Sequence, residues 1–169
     1  MKCLNGQEIS DKLRAIDQLE APRDNLAPNH HLTFYAPSHY NYQAVECFLE
    51  CYLNQIVERG ELLLVITDAE PASPAQEFTM TAIRRSLGET RQINETPGYL
   101  VDFGNRHEII ALFSLITCFG WKGYLYSEVG QMTLFTWEGE IFDFWTALET
   151  KRDKALELLK GFHLEEVSK

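Results

Sequence analysis

Long hydrophobic runs are missing from this 169-residue sequence. No stretch reaches the ~18 consecutive apolar residues that span a bilayer, and the greasiest block, Ile109 to Phe119, is interrupted by Ser114 and Thr117. The opening residues, MKCLNGQEIS, contain no apolar segment of the kind a secretory signal needs. A cytoplasmic protein with no membrane partner is the expectation. Cysteine is sparse and unpatterned: Cys3, Cys47, Cys51 and Cys118 form neither a CxxC nor an even framework. That spacing argues for reduced thiols rather than a disulfide scaffold or a zinc knuckle. Cys47 and Cys51 lie four apart on an expected helix, yet no nearby ligand pair completes a metal site. No metal and no cofactor is expected.

Motifs that carry a mechanism are absent as well. The chain has no GxSxG elbow, P-loop, GxGxxG or HExxH. Gly120-Trp121-Lys122-Gly123 lacks the length and the lysine-hydroxyl ending of a phosphate loop, and reads as a helix stop followed by a strand entry. Positive charge is short too: 15 Lys and Arg face 25 Asp and Glu, for a net charge of -10. The acidic excess is spread evenly, and the longest cationic pairs are Arg84-Arg85 and Lys151-Arg152. Such a field repels phosphate backbones, so nucleic acid is not an expected partner, whereas a basic protein is attracted on approach.

What remains is the composition of a globular chain, 45% hydrophobic and 24% charged, long enough for one well-buried core. Ile9, Leu13, Ile16 and Leu19 fall at helical spacing, and Pro22, Asn25 and Pro28 then break the pattern. Residues 1-31 are therefore expected to form an N-terminal helix and linker, a packing arm on a single globular domain of residues 32-169. HLTFYA reads as a strand. Tyr42 to Arg59 follows as an amphipathic helix stopped by Gly60, and ELLLVIT is continuously apolar, as in a parallel strand covered on both faces. Ser73-Pro74-Ala75-Gln76 opens the next helix, which should stop at Gly88. YLVDF, a Gly104-Asn105 turn and a helix from Arg106 to Phe119 come next, the helix being apolar nearly all round. Residues 122-145 read as an antiparallel meander with a tight turn at Glu138-Gly139, and a helix from Thr146 to Lys160 closes the chain. The expected fold class is α/β or α+β, with a mixed sheet of about six strands, βαβ units leading into the meander, and about five helices. Neither face of the meander is cleanly polar. The fourth helix and the terminal helix are expected to sandwich it, or one face is left to a partner.

Two stretches share an order of parts: LTFYAPSH, helix, glycine, LLLVIT; and YLVDFGNRH, helix, glycines, YLYS. Read as βαβ repeats, they place His39 and His107 where a strand's carboxyl end meets a helix's amino end, the crevice that binds ligands in open α/β sheets. Ser38 and Asn105 in the same turns read equally well as helix N-caps. If the strands are parallel neighbours, Asp68 and Asp102 approach each other to hold a divalent cation or act as an acid and base pair, and a histidine from the same edge, His39 or His107, completes a hydrolase-like site. A common edge for both turns is the geometric requirement. The aromatic-rich last third supplies Trp121, Phe135 and Trp137 as candidate partner anchors.

The leading functional expectation is a non-enzymatic protein-binding module, of the inhibitor, immunity or adaptor kind, for a basic partner. The alternative is a small hydrolase-like enzyme or ligand-binding domain working from the strand ends. A homo-oligomer packed through the fourth helix or the meander is a further possibility.

Overall fold

A computed structural model describes residues 1-18, 20-22, 30-35, 42-57, 59-69, 73-129, 131-162 and 164-167. In chain order these form β1 (Lys2–Leu4), α1 (Gly6–Ala15), β2 (His30–Tyr35), α2 (Tyr42–Tyr52) continued by a π-helical turn (Leu53–Val57), and β3 (Glu61–Asp68). Then come α3 (Pro74–Ser86), β4 (Gly98–Asp102), a short 3-10 turn (Phe103–Asn105), α4 (Arg106–Cys118), β5 (Lys122–Ser127), β6 (Met132–Trp137), β7 (Ile141–Thr146), α5 (Glu149–Gly161) and β8 (Glu165–Glu166). The strands lie in one sheet in the order β1-β4-β3-β5-β6-β7-β2-β8, and every neighbouring pair is antiparallel. The fold is α+β.

That topology corrects the expectation of parallel pairs in a mixed sheet of six strands. β4 and β5 do run in the same direction and are joined by α4, but β3 is inserted between them and opposes both. β2 likewise runs with β3, separated from it by the whole meander. Each unit is a crossover whose two strands are parallel and not adjacent. The continuous apolarity of β3 reports burial on two faces, which antiparallel sheets also reach when both sides are covered. Leu62, Leu64 and Ile66 enter a large core with α2, α4 and α5. Leu63 and Val65 enter a smaller one with Leu4, Ile9 and Leu13 from β1 and α1. The two extra strands, β1 and β8, are the short outer strands of the sheet, and short edges limit edge-to-edge pairing.

Both α4 and α5 sit on the same face, so they do not sandwich the meander. The near-uniform apolarity of α4 is used within the chain: Ile109, Leu112, Phe113 and Ile116 are buried against α2 and the sheet. Each such side chain contributes about 1.5–3 kcal/mol on burial. On the opposite face, α1 packs on the sheet, with Gln18 and Ala21 beyond it. Asn5 and Glu8 form a capping box at the start of α1. The helix ends before Pro22, at Asp17, whose φ of +52 closes a Schellman turn through Gln18 N–H to Leu13 O at 2.9 Å and Asp17 N–H to Arg14 O at 3.2 Å. Leu19, expected on the same stripe, lies outside the described residues. Gln18 then clamps the segment to the sheet, donating to Ser127 O at 2.8 Å and accepting from Thr133 Oγ1 at 2.9 Å.

Ser73 accepts from Gln76 N–H at 3.4 Å, and Gly88 closes α3 at φ +78, as the sequence pattern predicts. Asn105 makes no side-chain cap on α4, so its expected N-cap role is not realised. At the β6-β7 turn, Glu138 and Gly139 both take positive φ, +55 and +73. A Cβ on Gly139 would also stand 2.5 Å from Thr117 O, because the hairpin tip packs on the end of α4. Gly139→Ala is therefore expected to destabilise the protein by about 1–3 kcal/mol, read as a lower urea midpoint; an unchanged midpoint would mean the tip lifts off α4 at no cost.

Candidate functional site

The strand-end residues come first. β3 and β4 oppose each other, with Asp102 opposite Glu61 at the start of β3 and Asp68 at its far end. Seven residues at ~3.3 Å separate those ends by about 23 Å, so Asp68 and Asp102 lie at opposite edges of the sheet and cannot act as one acid and base pair. Asp68 is instead bound to Lys122 Nζ at 2.9 Å across the β3-β5 ladder. Asp102 is exposed ahead of the 3-10 turn, and His107 is exposed in the first turn of α4. His39 and Ser38 lie outside the described residues. Because β2 runs with β3 and β4 against it, the carboxyl ends of β2 and β4 point to opposite edges, and the common edge that the repeat required does not exist.

A polar grouping that the fold does assemble lies on the sheet face opposite the helix layer of α2, α4 and α5. Alternation along β2, β6 and β7 sends Leu32, Phe34, Leu134, Phe142 and Phe144 to the helix side. The same alternation sends His31, Thr33, Phe135, Asp143 and Trp145 to the other face. Cross-strand register places Thr33 and Phe135 on either side of Asp143, and His31 and Thr133 on either side of Trp145. Asp143 is 2% exposed. Its Oδ1 accepts from Thr33 Oγ1 at 2.5 Å and meets His31 Nε2 at 3.0 Å. The His31 ring stacks on Trp145 with centroids 4.8 Å apart and planes 8° from parallel, and Tyr124 stacks on Phe135 at 4.4 Å.

A carboxylate only accepts, so the hydrogen in the His31–Asp143 contact sits on Nε2. The same Nε2 is 3.2 Å from Thr33 Oγ1, and a nitrogen that carries a hydrogen has no lone pair to offer that hydroxyl. Thr33 Oγ1 donates to the carboxylate and not to the imidazole, so the three side chains are not ordered as a hydroxyl–imidazole–carboxylate relay. Among the described residues, the buried carboxylate meets a hydroxyl and an imidazole N–H beside an aromatic wall. Sequence reasoning placed His30-His31 in a linker and passed over Asp143. The signal was a lone carboxylate inside the aromatic strand IFDFWT, since a buried polar residue is the informative exception in a core.

Of the three expected anchors, Phe135 is 3% exposed and Trp121 4%, so neither offers surface to a partner in this fold. Trp137 is half-buried at the end of the same face. Ile141 is its partner on β7, and Tyr35 is the partner of Ile141 on β2. The three form a continuous half-exposed row. Glu138 and Glu140 stand exposed in the adjoining turn, where Tyr35 Oη donates to Glu140 Oε2 at 3.5 Å.

A second feature is a cleft of about 470 Å³ between α3 and the loop that leads to β4, with Met80, Arg84 and Trp121 in its lining. Arg84 is 3% exposed and ties the loop to α3. It donates to the carbonyls of Arg91 and Gln92 at 3.1 Å each, to Thr96 O at 3.0 Å, to Tyr99 Oη at 2.5 Å and to Thr96 Oγ1. Glu89 closes on Arg91 through two side-chain bonds and the Arg91 N–H, which hold its carboxyl down to about 2. Burial pushes the Cys3 thiol and the Tyr99 phenol up. The four cysteines are unpaired. Among the described residues no three His, Cys, Asp or Glu side chains are placed to share a metal ion, and no helix is long and apolar enough to cross a membrane.

No protein-family model, no curated protein and no solved structure matches this chain.

Two outcomes follow from these geometries. Asp143→Ala leaves Thr33 Oγ1 and His31 Nε2 without their acceptor and is expected to cost about 2–3 kcal/mol, with Asp143→Asn costing less; equal urea midpoints for wild type and the alanine variant would show the cluster to be dispensable. Glu89 has a lowered folded-state pKa, so its contribution is complete above its ordinary 4.5 and is lost as pH falls toward about 2. Glu89→Gln should therefore flatten the loss of stability seen between those pH values, while leaving the profile near neutrality unchanged.

Proposed function

We propose that this chain is a non-enzymatic protein-binding module whose partner is basic. The observation that carries the proposal is the row Trp137, Ile141 and Tyr35, half-exposed at one end of the sheet and flanked by the exposed carboxylates of Glu138 and Glu140, on a chain of net charge -10. Aromatic side chains at the centre of a contact supply most of its energy, while surrounding charges of one sign speed encounter with a partner of the other sign. Lys122, the cation on β5, is paired with Asp68. The inhibitor, immunity or adaptor class fits this arrangement: a stable scaffold carrying one anionic, apolar-centred surface. The hydrolase-like alternative loses its geometry with the separation of Asp68 from Asp102.

The test is affinity capture from extract of the source cell at low salt, with wild type beside Trp137→Ala and the double variant Glu138→Lys, Glu140→Lys. A basic protein is expected to co-purify with wild type. Trp137→Ala should weaken its binding by about thirtyfold or more, equivalent to ~2 kcal/mol, and the charge-reversed variant should lose it, both variants keeping the wild-type circular dichroism. Equal capture by all three, or a light-scattering mass showing that the row is buried in a homodimer, would remove this reading.

A further inference from the structure

We infer that the cleft between α3 and the 89-97 loop is a binding site for a small organic anion, an oxyanion carried on a partly apolar body. Its volume of about 470 Å³ lies in the range of roughly 300–1,000 Å³ that suits small ligands. The site is separate from the row proposed to bind protein, and its charge has the opposite bias. Arg84, Arg85 and Arg91 gather here out of 15 cations in the whole chain, and Glu77 and Glu89 are the acidic side chains among the described lining. Arg91 and Glu89 neutralise each other. On α3, Glu77 and Arg85 are exposed, and among the described residues neither side chain has a hydrogen-bond or ion-pair partner.

Arg84 decides the balance. Its guanidinium is buried, and all five of its hydrogen bonds run to neutral oxygens: three carbonyls, the Thr96 hydroxyl and the Tyr99 phenol. Among the described residues no carboxylate stands within ion-pair distance of it. A buried cation without a counter-ion is costly, and an anion in the cleft offsets that cost while meeting Arg85 at the rim. A second observation points the same way. Trp121 lines the cleft at 4% exposure, and its indole N–H is a buried donor with no acceptor among the described residues. Such orphan donors are rare in folded proteins. Met80, Ile93 and Trp121 provide the apolar contact for the body of the ligand. A cation would face the unneutralised Arg84, and a purely apolar molecule would leave it unanswered.

Four probes separate the components: phenyl phosphate and benzoate as oxyanions on an apolar ring, inorganic phosphate as the anion alone, and benzyl alcohol as the ring alone. The readout is the indole ¹H–¹⁵N resonance of Trp121, assigned by its loss in Trp121→Phe. At least one of the ring-bearing anions is expected to shift it saturably, about tenfold more tightly than inorganic phosphate or benzyl alcohol, and which one does so distinguishes a phosphoryl from a carboxylate ligand. Arg85→Gln, an exposed change that leaves the Arg84 network intact, should weaken that binding by about fivefold, the upper worth of one solvent-exposed charge pair. Glu77→Gln should not weaken it. A Trp121 resonance that neither anion moves at millimolar concentration, or binding that Arg85→Gln leaves unchanged, overturns the inference.

Discussion

The insertion of β3 between β4 and β5 is the constraint from which the rest of the molecule follows. β3 opposes both neighbours, so the strands alternate in direction from one edge of the sheet to the other. An apolar residue at nearly every position of β3 demands cover on both faces. The helix layer of α2, α4 and α5 supplies it on one side, and α1 with Ala21 on the other. Alternation also removes the common edge at which parallel α/β sheets collect the ends of their strands and the starts of their helices. The two features described above are built in other ways, one on a sheet face and one between a helix and a loop.

Each of the two cores has a charge at its margin, and the two charges are met by different chemistry. Asp143 is satisfied by side chains on the neighbouring strand, Thr33 and His31, because register sets them beside it on one face. Arg84 is satisfied by a loop that folds back over it and presents its carbonyls. In the first, a hydroxyl and an imidazole N–H both donate to the carboxylate. The second leaves a full positive charge solvated by neutral dipoles. In a chain of net charge -10 that difference gives two regions of opposite polarity, the glutamate-flanked row at the sheet end and the arginine-floored cleft beside α3.

How much of this was legible depends on the range of the interaction concerned. Helix stops at Gly88 and Gly120, the Ser73 cap and the tight turn at Gly139 follow from the conformation of single residues, and the structure has them where the pattern put them. Burial was legible as well, in the apolar α4 and the two-faced β3. Direction and adjacency of strands were not. A two-faced strand has the same composition whether its neighbours run with it or against it, so ELLLVIT read as parallel. The crossover helices carry no mark of how many strands they pass. The candidate site depended on that missing information: Asp68 and Asp102 pair or part according to strand direction alone, while Asp143 finds His31 and Thr33 across a distance of more than a hundred positions in the chain.

The amino-acid sequence by itself determined several helix stops, which segments are buried, the net acidity of the chain and the absence of familiar catalytic motifs, because each is a property of single residues or of near neighbours along the chain; the start of α5, expected at Thr146, falls at Glu149 because Thr146 is taken by β7. Tertiary structure alone decided the order and direction of the eight strands. It also decided which face each aromatic takes, turning Phe135 inward and leaving Trp137 half-exposed, and which distant polar groups meet. Those outcomes are settled by backbone hydrogen bonding between remote segments, and every peptide unit offers the same donor and acceptor to that ladder whatever its side chain.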